Sequence, residues 1–320
     1  MFLKKRKING TYYWSLAENY REEHKIKQKI IKNLGNTEKA KKILVENKEY
    51  TKFLVELNAT IEFKVNSILN IECIKGMKLI PDKSIDMIFS DLPYGTTQNP
   101  WDSIIPFNQL WKQYERIIKD NGVILLFAQA PFDKILGASN KKLLRYEWIW
   151  EKNKATGHLN AKIAPMKAHE NILVFYKKLP IYNPQKSKGH KPVHSYTKHQ
   201  TDGSNYGTTK IGISGGGSTE RNPRSVLKFN AVINPIHSTQ KPIDLCEYLI
   251  KTYTNEGDIV LDNCCGSGSI PLAAALNNRK FIGMDNGICD REKSEFYNMY
   301  WADIAKERLL EASKQMQLSI

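Results

Sequence analysis

The chain has 320 residues, with 48 Lys and Arg against 33 Asp and Glu, a formal net charge of +15. Hydrophobic residues make up 41% and charged residues 25%, an ordinary globular balance that excludes disordered, collagen-like and low-complexity chains. The charge excess points to an anionic partner, nucleic acid first, and a chain this long can bury a core without disulfides or metals.

Five cysteines, Cys73, Cys246, Cys264, Cys265 and Cys289, are an odd number, and none is spaced for a metal site. They read as reduced thiols in a cytoplasmic protein with no metal. The opening MFLKKRKING has no apolar run behind it, so no signal peptide is expected. No stretch nears the ~20 apolar residues that span a membrane.

In chain order, residues 11–20 and 25–34 are predicted to pair as a hairpin across 21–24. A helix from Asn36 or Thr37 would place Ala40, Ile43, Leu44, Tyr50, Leu54 and Leu57 along one side. Residues 85–90 (IDMIFS) are a short apolar run bounded by polar turns, a buried strand. Residues 107–119 repeat Leu110, Trp111, Tyr114, Ile117 and Ile118 at helical spacing. Asp120-Asn121-Gly122 is expected to end that helix before a strand at 123–127. Two more strands are expected at 146–150 and 172–176, a helix at 243–253, a strand at 259–261, a helix at 270–277 and a strand at 281–284. Strands alternating with helices argue for a mostly parallel α/β sheet with helices on both faces.

The charge is not spread evenly. Residues 1–60 hold 14 Lys and Arg against 7 Asp and Glu, and residues 179–228 hold 8 against 2. The 210 residues outside these blocks are nearly balanced. The second block carries 7 of the 19 glycines, with tyrosines and histidines interleaved with lysines. It reads as an inserted, loop-rich module.

Two motifs carry chemistry. Ser90-Asp91-Leu92-Pro93-Tyr94-Gly95 falls at the carboxyl end of a strand, where open α/β sheets bind ligands. Its residue types suit an exocyclic amine on a flat ring. Asp91 and the Leu92 carbonyl can each accept an N–H, Pro93 stiffens the turn, and Tyr94 offers a face for stacking. A strand-ending turn with a core tyrosine explains the same four residues about equally well. The second motif runs from Asp258 to Ser269, with Asp262, Gly266 and Gly268, before an apolar helix. About 20 residues on, Gly283-Met284-Asp285 ends the next strand, and Asp285 can accept both ribose hydroxyls of a nucleoside. A full Gly-x-Gly-x-x-Gly is absent, which disfavours a dehydrogenase. His237-Ser238-Thr239-Gln240-Lys241-Pro242 and Asn70 to Met77, with Glu72, say little alone.

In this order, however, residues 61–308 resemble the permuted β class of DNA amino-methyltransferases, most closely the solitary phage or prophage type. Asp91-Leu92-Pro93-Tyr94 looks like the Asp-Pro-Pro-Tyr catalytic motif. His237 to Pro242 resembles His-Pro-Thr-Gln-Lys-Pro, and Leu261 to Ser269 resembles Leu-Asp-Pro-Phe-x-Gly-Ser-Gly-Thr. His169-Glu170-Asn171 before a strand is also typical. Leu92, Ser238 and Asn263 replace prolines, and Glu72 stands where Asp is usual; all are mild changes. The resemblance implies a Rossmann-like, circularly permuted fold using S-adenosylmethionine (SAM) and flipping a base out of double-stranded DNA. Asp91, Leu92, Pro93 and Tyr94 would be catalytic. Glu72, His237, Lys241, Asp262, Cys264, Gly266, Ser267, Gly268 and Asp285 would form the cofactor site. Lys186, Lys188, Lys191, Lys198, Arg221 and Arg224, in the insertion, would grip DNA. Adenine N6 is favoured over cytosine N4; RNA or protein-amide methylation and an inactive DNA-binding relative are the alternatives.

The expected organisation is a basic appendage at 1–60, a catalytic half at 61–178, a target-recognition insertion at 179–235 and a SAM-binding half at 236–320. The appendage resembles the small basic N-terminal modules of some transposases, and reads equally well as a solvated extension. A homodimer is compatible with these features. A companion restriction nuclease is not inferable from one chain.

Overall fold

A computed structural model describes residues 1–8, 11–22, 25–47, 50, 65–97, 99, 101–197, 214–290 and 294–318. The chain divides into two units. One holds Met1–Val65 and Lys75–Pro81, the other Asn66–Ile74 and Asp82–Ile320.

In the first unit, β1 (Phe2–Ile8), β2 (Thr11–Glu22) and β3 (Lys25–Asn36) form an antiparallel sheet in that order. Helix α1 (Thr37–Glu46) follows, and Asn36 caps it, its Oδ1 accepting from the Lys39 N–H at 3.1 Å. Leu3, Trp14, Leu16, Leu34, Ala40 and Leu44 make its core. Strand β1 is an addition to the expected hairpin. Its lysine-rich sequence hides the alternation, because Leu3 is its buried anchor while Lys4 and Arg6 face water. The helix is shorter than expected: Asn47 terminates it, and Leu54 and Leu57 lie outside the described residues.

The second unit contains β4 (Ser67–Asn70), β5 (Ile85–Asp91), β6 (Ile118–Ala128), β7 (Leu144–Thr156), β8 (Lys167–Phe175), β11 (Val226–Phe229), β12 (Ile259–Asp262) and β13 (Lys280–Asp285). They form one eight-stranded sheet, order β11-β7-β8-β6-β5-β12-β13-β4. Only β8 runs antiparallel to its neighbours; every other pair is parallel. The helices are α2 (Cys73–Met77), which spans the unit boundary, α3 (Phe107–Ile117), α4 (Phe132–Ser139), α5 (Ile243–Tyr253), α6 (Ser269–Leu276) and α7 (Trp301–Leu318). Strand β5 is buried on both faces, so Ile85, Met87, Ile88 and Phe89 are all fully enclosed, with Asp86 the one charged interruption, paired with Lys119 at 2.6 Å. Burying each such side chain stabilises the fold by roughly 1.5–3 kcal/mol.

Three expectations need correction. Helix α3 ends at Ile117, not 119, and β6 starts at Ile118, so Asp120-Asn121-Gly122 lies inside the strand. Gly122 permits this: a Cβ there would sit 2.8 Å from the Asp86 carbonyl oxygen. Strands β7 and β8 extend well past their apolar cores, because β7–β8 pairing continues through Glu151, Lys167, His169 and Glu170, and Lys152 pairs with Phe229 of β11. Strand β4 and helices α4 and α7 were not anticipated.

The inserted segment holds two two-residue strands, β9 (Tyr196–Thr197) and β10 (Ser214–Gly215). Its start is tied to the end of α5, where the Asn183 N–H donates to the Thr252 carbonyl at 2.7 Å. Its close, β11, joins the edge of the main sheet.

Candidate active site

Strand β5 delivers Asp91 to the carboxyl end of the sheet. The Tyr94 hydroxyl donates to Asp91 Oδ1 at 2.8 Å, and Lys241 Nζ donates to Oδ2. The Tyr94 ring stacks on Phe132, centroids 4.9 Å apart and planes 21° from parallel. Leu92, which replaces a family proline, is 3% exposed, so its side chain is retained by packing. The loop after the motif is held by Asp102, whose carboxylate accepts from the N–H groups of Gly95, Thr96 and Thr97 at 2.8, 2.9 and 2.7 Å. Burial opposes the charge on Asp102, yet those bonds hold its carboxyl below the usual range.

Burial dominates the electrostatics of the motif. It pushes the Asp91 carboxyl up, against the pull of Lys241. It likewise pushes the Tyr94 phenol well up, reinforced by the negative charge of Asp91, so Tyr94 acts as a neutral donor. Lys241 is enclosed as well, but Asp91 and Glu170 overcome the cost of burial and hold it cationic. Glu170 Oε2 lies 3.4 Å from Lys241 Nζ, and Lys152 Nζ donates to Glu170 Oε1. Burial works against the Glu170 charge too, yet the two lysines hold its carboxyl below its ordinary value.

The glycine turn stands one strand away. Strand β12 pairs with β5, and the Ser90 hydroxyl donates to Asp262 Oδ1 at 2.7 Å, joining two motifs 172 residues apart. The Cys264 N–H donates to the same oxygen at 3.2 Å. Asp262 is 2% exposed, and burial raises its carboxyl to about 7 despite these bonds. Asp285, at the end of β13, accepts from the N–H groups of Gly266 and Gly287, each at 2.8 Å. Gly266 and Gly268 have φ of +47° and +81°, a backbone that side chains rarely adopt. At Gly268 a Cβ would also meet the Ala305 Cβ at 2.8 Å, so packing of α7 demands that glycine independently. His237 sits beside Gly266 and against Trp301, ring centroids 4.4 Å apart. Asn263, another proline replacement, is 1% exposed and accepts from the Tyr114 hydroxyl at 2.6 Å. That bond satisfies an amide that would otherwise be costly to bury.

The turn has the character of a nucleoside-cofactor site. Ser269 Oγ is buried without a hydrogen-bond partner among the described residues, Asp285 stands at the end of the next strand with burial pushing its carboxyl up, and Gly266, with φ +47°, keeps the turn free of a side chain there.

The expected residues therefore fall into distinct groups. Asp91 ends β5 and Leu92, Pro93 and Tyr94 follow it, while Asp262 ends β12 and Cys264, Gly266, Ser267 and Gly268 form the turn after it, joined to β5 through Ser90. Glu72 precedes α2 and accepts from the Ile74 N–H at 2.8 Å. Lys241, expected at the cofactor, is instead bound to Asp91 and Glu170. In the insertion, Lys186, Lys188, Lys191 and Arg224 are exposed. Arg221 differs from expectation: its guanidinium is engaged by the carbonyls of Lys191, Ser218 and Glu220, so it braces the loop. Lys198 lies outside the described residues. Sequence reasoning missed Lys152, Phe132, Asp102 and Trp301 as contributors, and gave Glu170 no role. For Trp301 a signal was available, since Trp301, Ala302, Ile304 and Ala305 follow the helical spacing of a buried face.

A mostly parallel sheet with a glycine turn after one strand and an acidic residue ending the next is a Rossmann-like arrangement suited to a nucleoside cofactor. Solved structures share the fold. The M1.HpyAVI–SAM complex aligns with a TM-score of 0.50 at 19% identity, over 76% of this chain and 98% of that one. The cytosine-N4-specific PvuII DNA methyltransferase aligns at 0.51 and 14%, over 77% and 92%. Residues 85–290 match the DNA methylase family, and the chain belongs to it. Similar curated proteins include the type II methyltransferase M.BamHI of Bacillus amyloliquefaciens, 26% identical over 83% of this chain and 66% of its own length. M1.MboII of Moraxella bovis is 27% identical over 69% of this chain and 92% of its own. The DNA adenine methyltransferase YhdJ of Escherichia coli K12 is 24% identical over 69% and 79%. Residues 3–56 match the N-terminal domain of IS1634 family transposases. Among the described residues no helix is long and apolar enough to cross a membrane.

Proposed function

We propose that the chain methylates the exocyclic amine of a base flipped out of duplex DNA, adenine N6 in preference to cytosine N4. The observation that carries this is the Ser90–Asp262 hydrogen bond, which joins the strand-end motif read as the amine acceptor to the turn read as the nucleoside site. Bound SAM supplies a methyl group already activated on a sulfonium. The rest is positioning and electrostatics by this chain. Asp285 would accept the ribose hydroxyls. Glu72 would border the adenine end, with Cys264 and His237 at the turn. Gly266, Ser267 and Gly268 would line the methionine end near Asp262. Tyr94, held on one face by Phe132, would stack on the base with the other. The Asp91 carboxylate and the Leu92 carbonyl would accept the two amine N–H groups, raising electron density on the nitrogen as its bond to the methyl carbon forms, the carbon–sulfur bond to that methyl breaks and the surplus amine proton is released to water. Mass analysis of nucleosides from treated duplex DNA tests this reading: N6-methyldeoxyadenosine is expected, and N4-methyldeoxycytidine alone would reassign the base.

The exposed lysines of the insertion suit phosphates, which supports a nucleic acid over a protein amide, and the match of residues 85–290 to the DNA methylase family supports DNA over RNA. Neutralising Lys186, Lys188, Lys191 and Lys198 together is expected to weaken duplex affinity and flatten its salt dependence. The log–log slope should fall by about 0.9 for each phosphate the variant no longer neutralises. SAM affinity, measured calorimetrically, should stay unchanged. Unaltered DNA binding would assign the insertion another task.

A further inference from the structure

Four ionisable side chains alternate in sign from the end of β5 toward β8 and β7: Asp91, Lys241 (before α5), Glu170 and Lys152. Lys241 Nζ bonds Asp91 Oδ2 and stands 3.4 Å from Glu170 Oε2, and Lys152 Nζ bonds Glu170 Oε1. Their side-chain exposures are 17, 7, 12 and 8%, so water screens none of them well. Lys241 lies over the Phe127 ring and Lys152 over the Trp150 ring, 4.9 and 5.0 Å from the centroids. Pairing across the sheet brings them together. Asp91 is opposite Phe127, Phe127 opposite Ile172, and Glu170, two residues from Ile172 on the same face, is opposite Trp150.

A lone buried carboxylate takes up a proton, and a protonated Asp91 would offer the amine a weaker acceptor. Lys241 alone would neutralise Asp91, but Glu170 shares that lysine, and Lys152 restores the balance. The cluster as a whole carries no net charge. The other titratable groups around Asp91 are the Tyr94 phenol, Asp262 on β12 and the Cys246 thiol on α5, which also feel its charge.

We propose that Glu170 and Lys152 are positioning residues that act through Lys241 on Asp91, Lys152 favouring its charged form and Glu170 opposing it, so that the charge balance of this four-residue cluster sets the acid limit of methyl transfer. This rests on Asp91 being the amine acceptor. Single-turnover methyl transfer to duplex DNA, followed against pH, tests it with the full chain. Lys152→Met leaves two carboxylates on one lysine and should move the acid limb up by about one pH unit. Glu170→Gln leaves an excess of positive charge and should move it down by a similar amount. The double variant is neutral again and should return the limb to within about half a unit of the parent. Lys152→Arg, which keeps the charge, should leave it in place.

A purely structural role would move both single variants the same way or neither, and either result overturns the proposal. Should a single variant fail to fold, the double variant decides. A folded protein with a restored limb supports the charge-balance account; loss of folding or a displaced limb overturns it. Asp91→Ala run alongside separates the two levels. Methyl transfer surviving in it would remove the amine-acceptor reading, whereas an inactive Asp91→Ala beside unmoved limbs would remove only the role of Glu170 and Lys152.

Discussion

Asp91→Ala is expected to lower methyl transfer by a factor of about 10^3, with SAM affinity and folding retained. The size follows from what Asp91 does. It would be a fixed acceptor, aimed at an amine whose nitrogen gains positive character as the new bond forms, and such groups are worth about 10^2–10^4 in rate. Folding should survive because Lys241 keeps Glu170 as a partner at 3.4 Å. The Tyr94 hydroxyl loses its acceptor, but the ring keeps its stack on Phe132. Single-turnover rates, calorimetric SAM titration and thermal melting separate these effects. A rate within a few-fold of the parent would contradict the role given to Asp91; equal loss of SAM binding would mean that the substitution had damaged the turn as well.

The second large effect concerns stability. The Asp262 carboxyl titrates at about 7 in the folded chain because it is buried, whereas an unfolded aspartate titrates near 4. Between those values the folded state holds a proton that the unfolded state releases. Stability therefore falls as pH rises from about 4 to 7, and levels off above. At ~1.4 kcal/mol per pH unit the cost approaches about 4 kcal/mol at pH 8, an upper bound. Asp262→Asn removes the charge and keeps Oδ1, the oxygen that accepts from both Ser90 and Cys264. It is expected to be more stable than the parent at pH 8, by up to that amount, and about equal at pH 4. Denaturant midpoints measured without SAM across this range check it. A variant less stable at pH 8 would show that the charge is compensated in the folded state.

What was legible in the sequence follows from how each element is buried. Strand β5 is enclosed on both faces and reads as an apolar run broken only at Asp86, so the motif at its end could be placed from the residues alone. Helix α5 was equally plain, with its periodic Leu245, Leu249 and Ile250 and Pro242 in front. Strand β1 was not, because its lysines obscure the single buried leucine. The Asp120-Asn121-Gly122 stretch lies within β6, yet it falls in the irregularity between Ile118 and Val123, so the regular pairing with β5 resumes at Val123 where the strand was expected. The larger gap lies in the cluster around Lys241. Lys152 and Glu170 are 18 residues apart, in stretches with no apolar pattern, and meet only because backbone pairing of β7 and β8 runs on past the core. Lys-Pro before a helix carries no information about which carboxylate the lysine will find. Pairing register and burial supply that, and neither is visible in residue types.

Transfer of a labelled methyl group from SAM to unmethylated duplex DNA, with the modified base identified, tests the central claim most directly. The parent chain is expected to label adenine at N6 within a defined sequence, and Asp91→Ala and Tyr94→Ala to label almost nothing while still binding SAM. Labelling that persists in both variants, or label found in RNA or protein but not in duplex DNA, would contradict it.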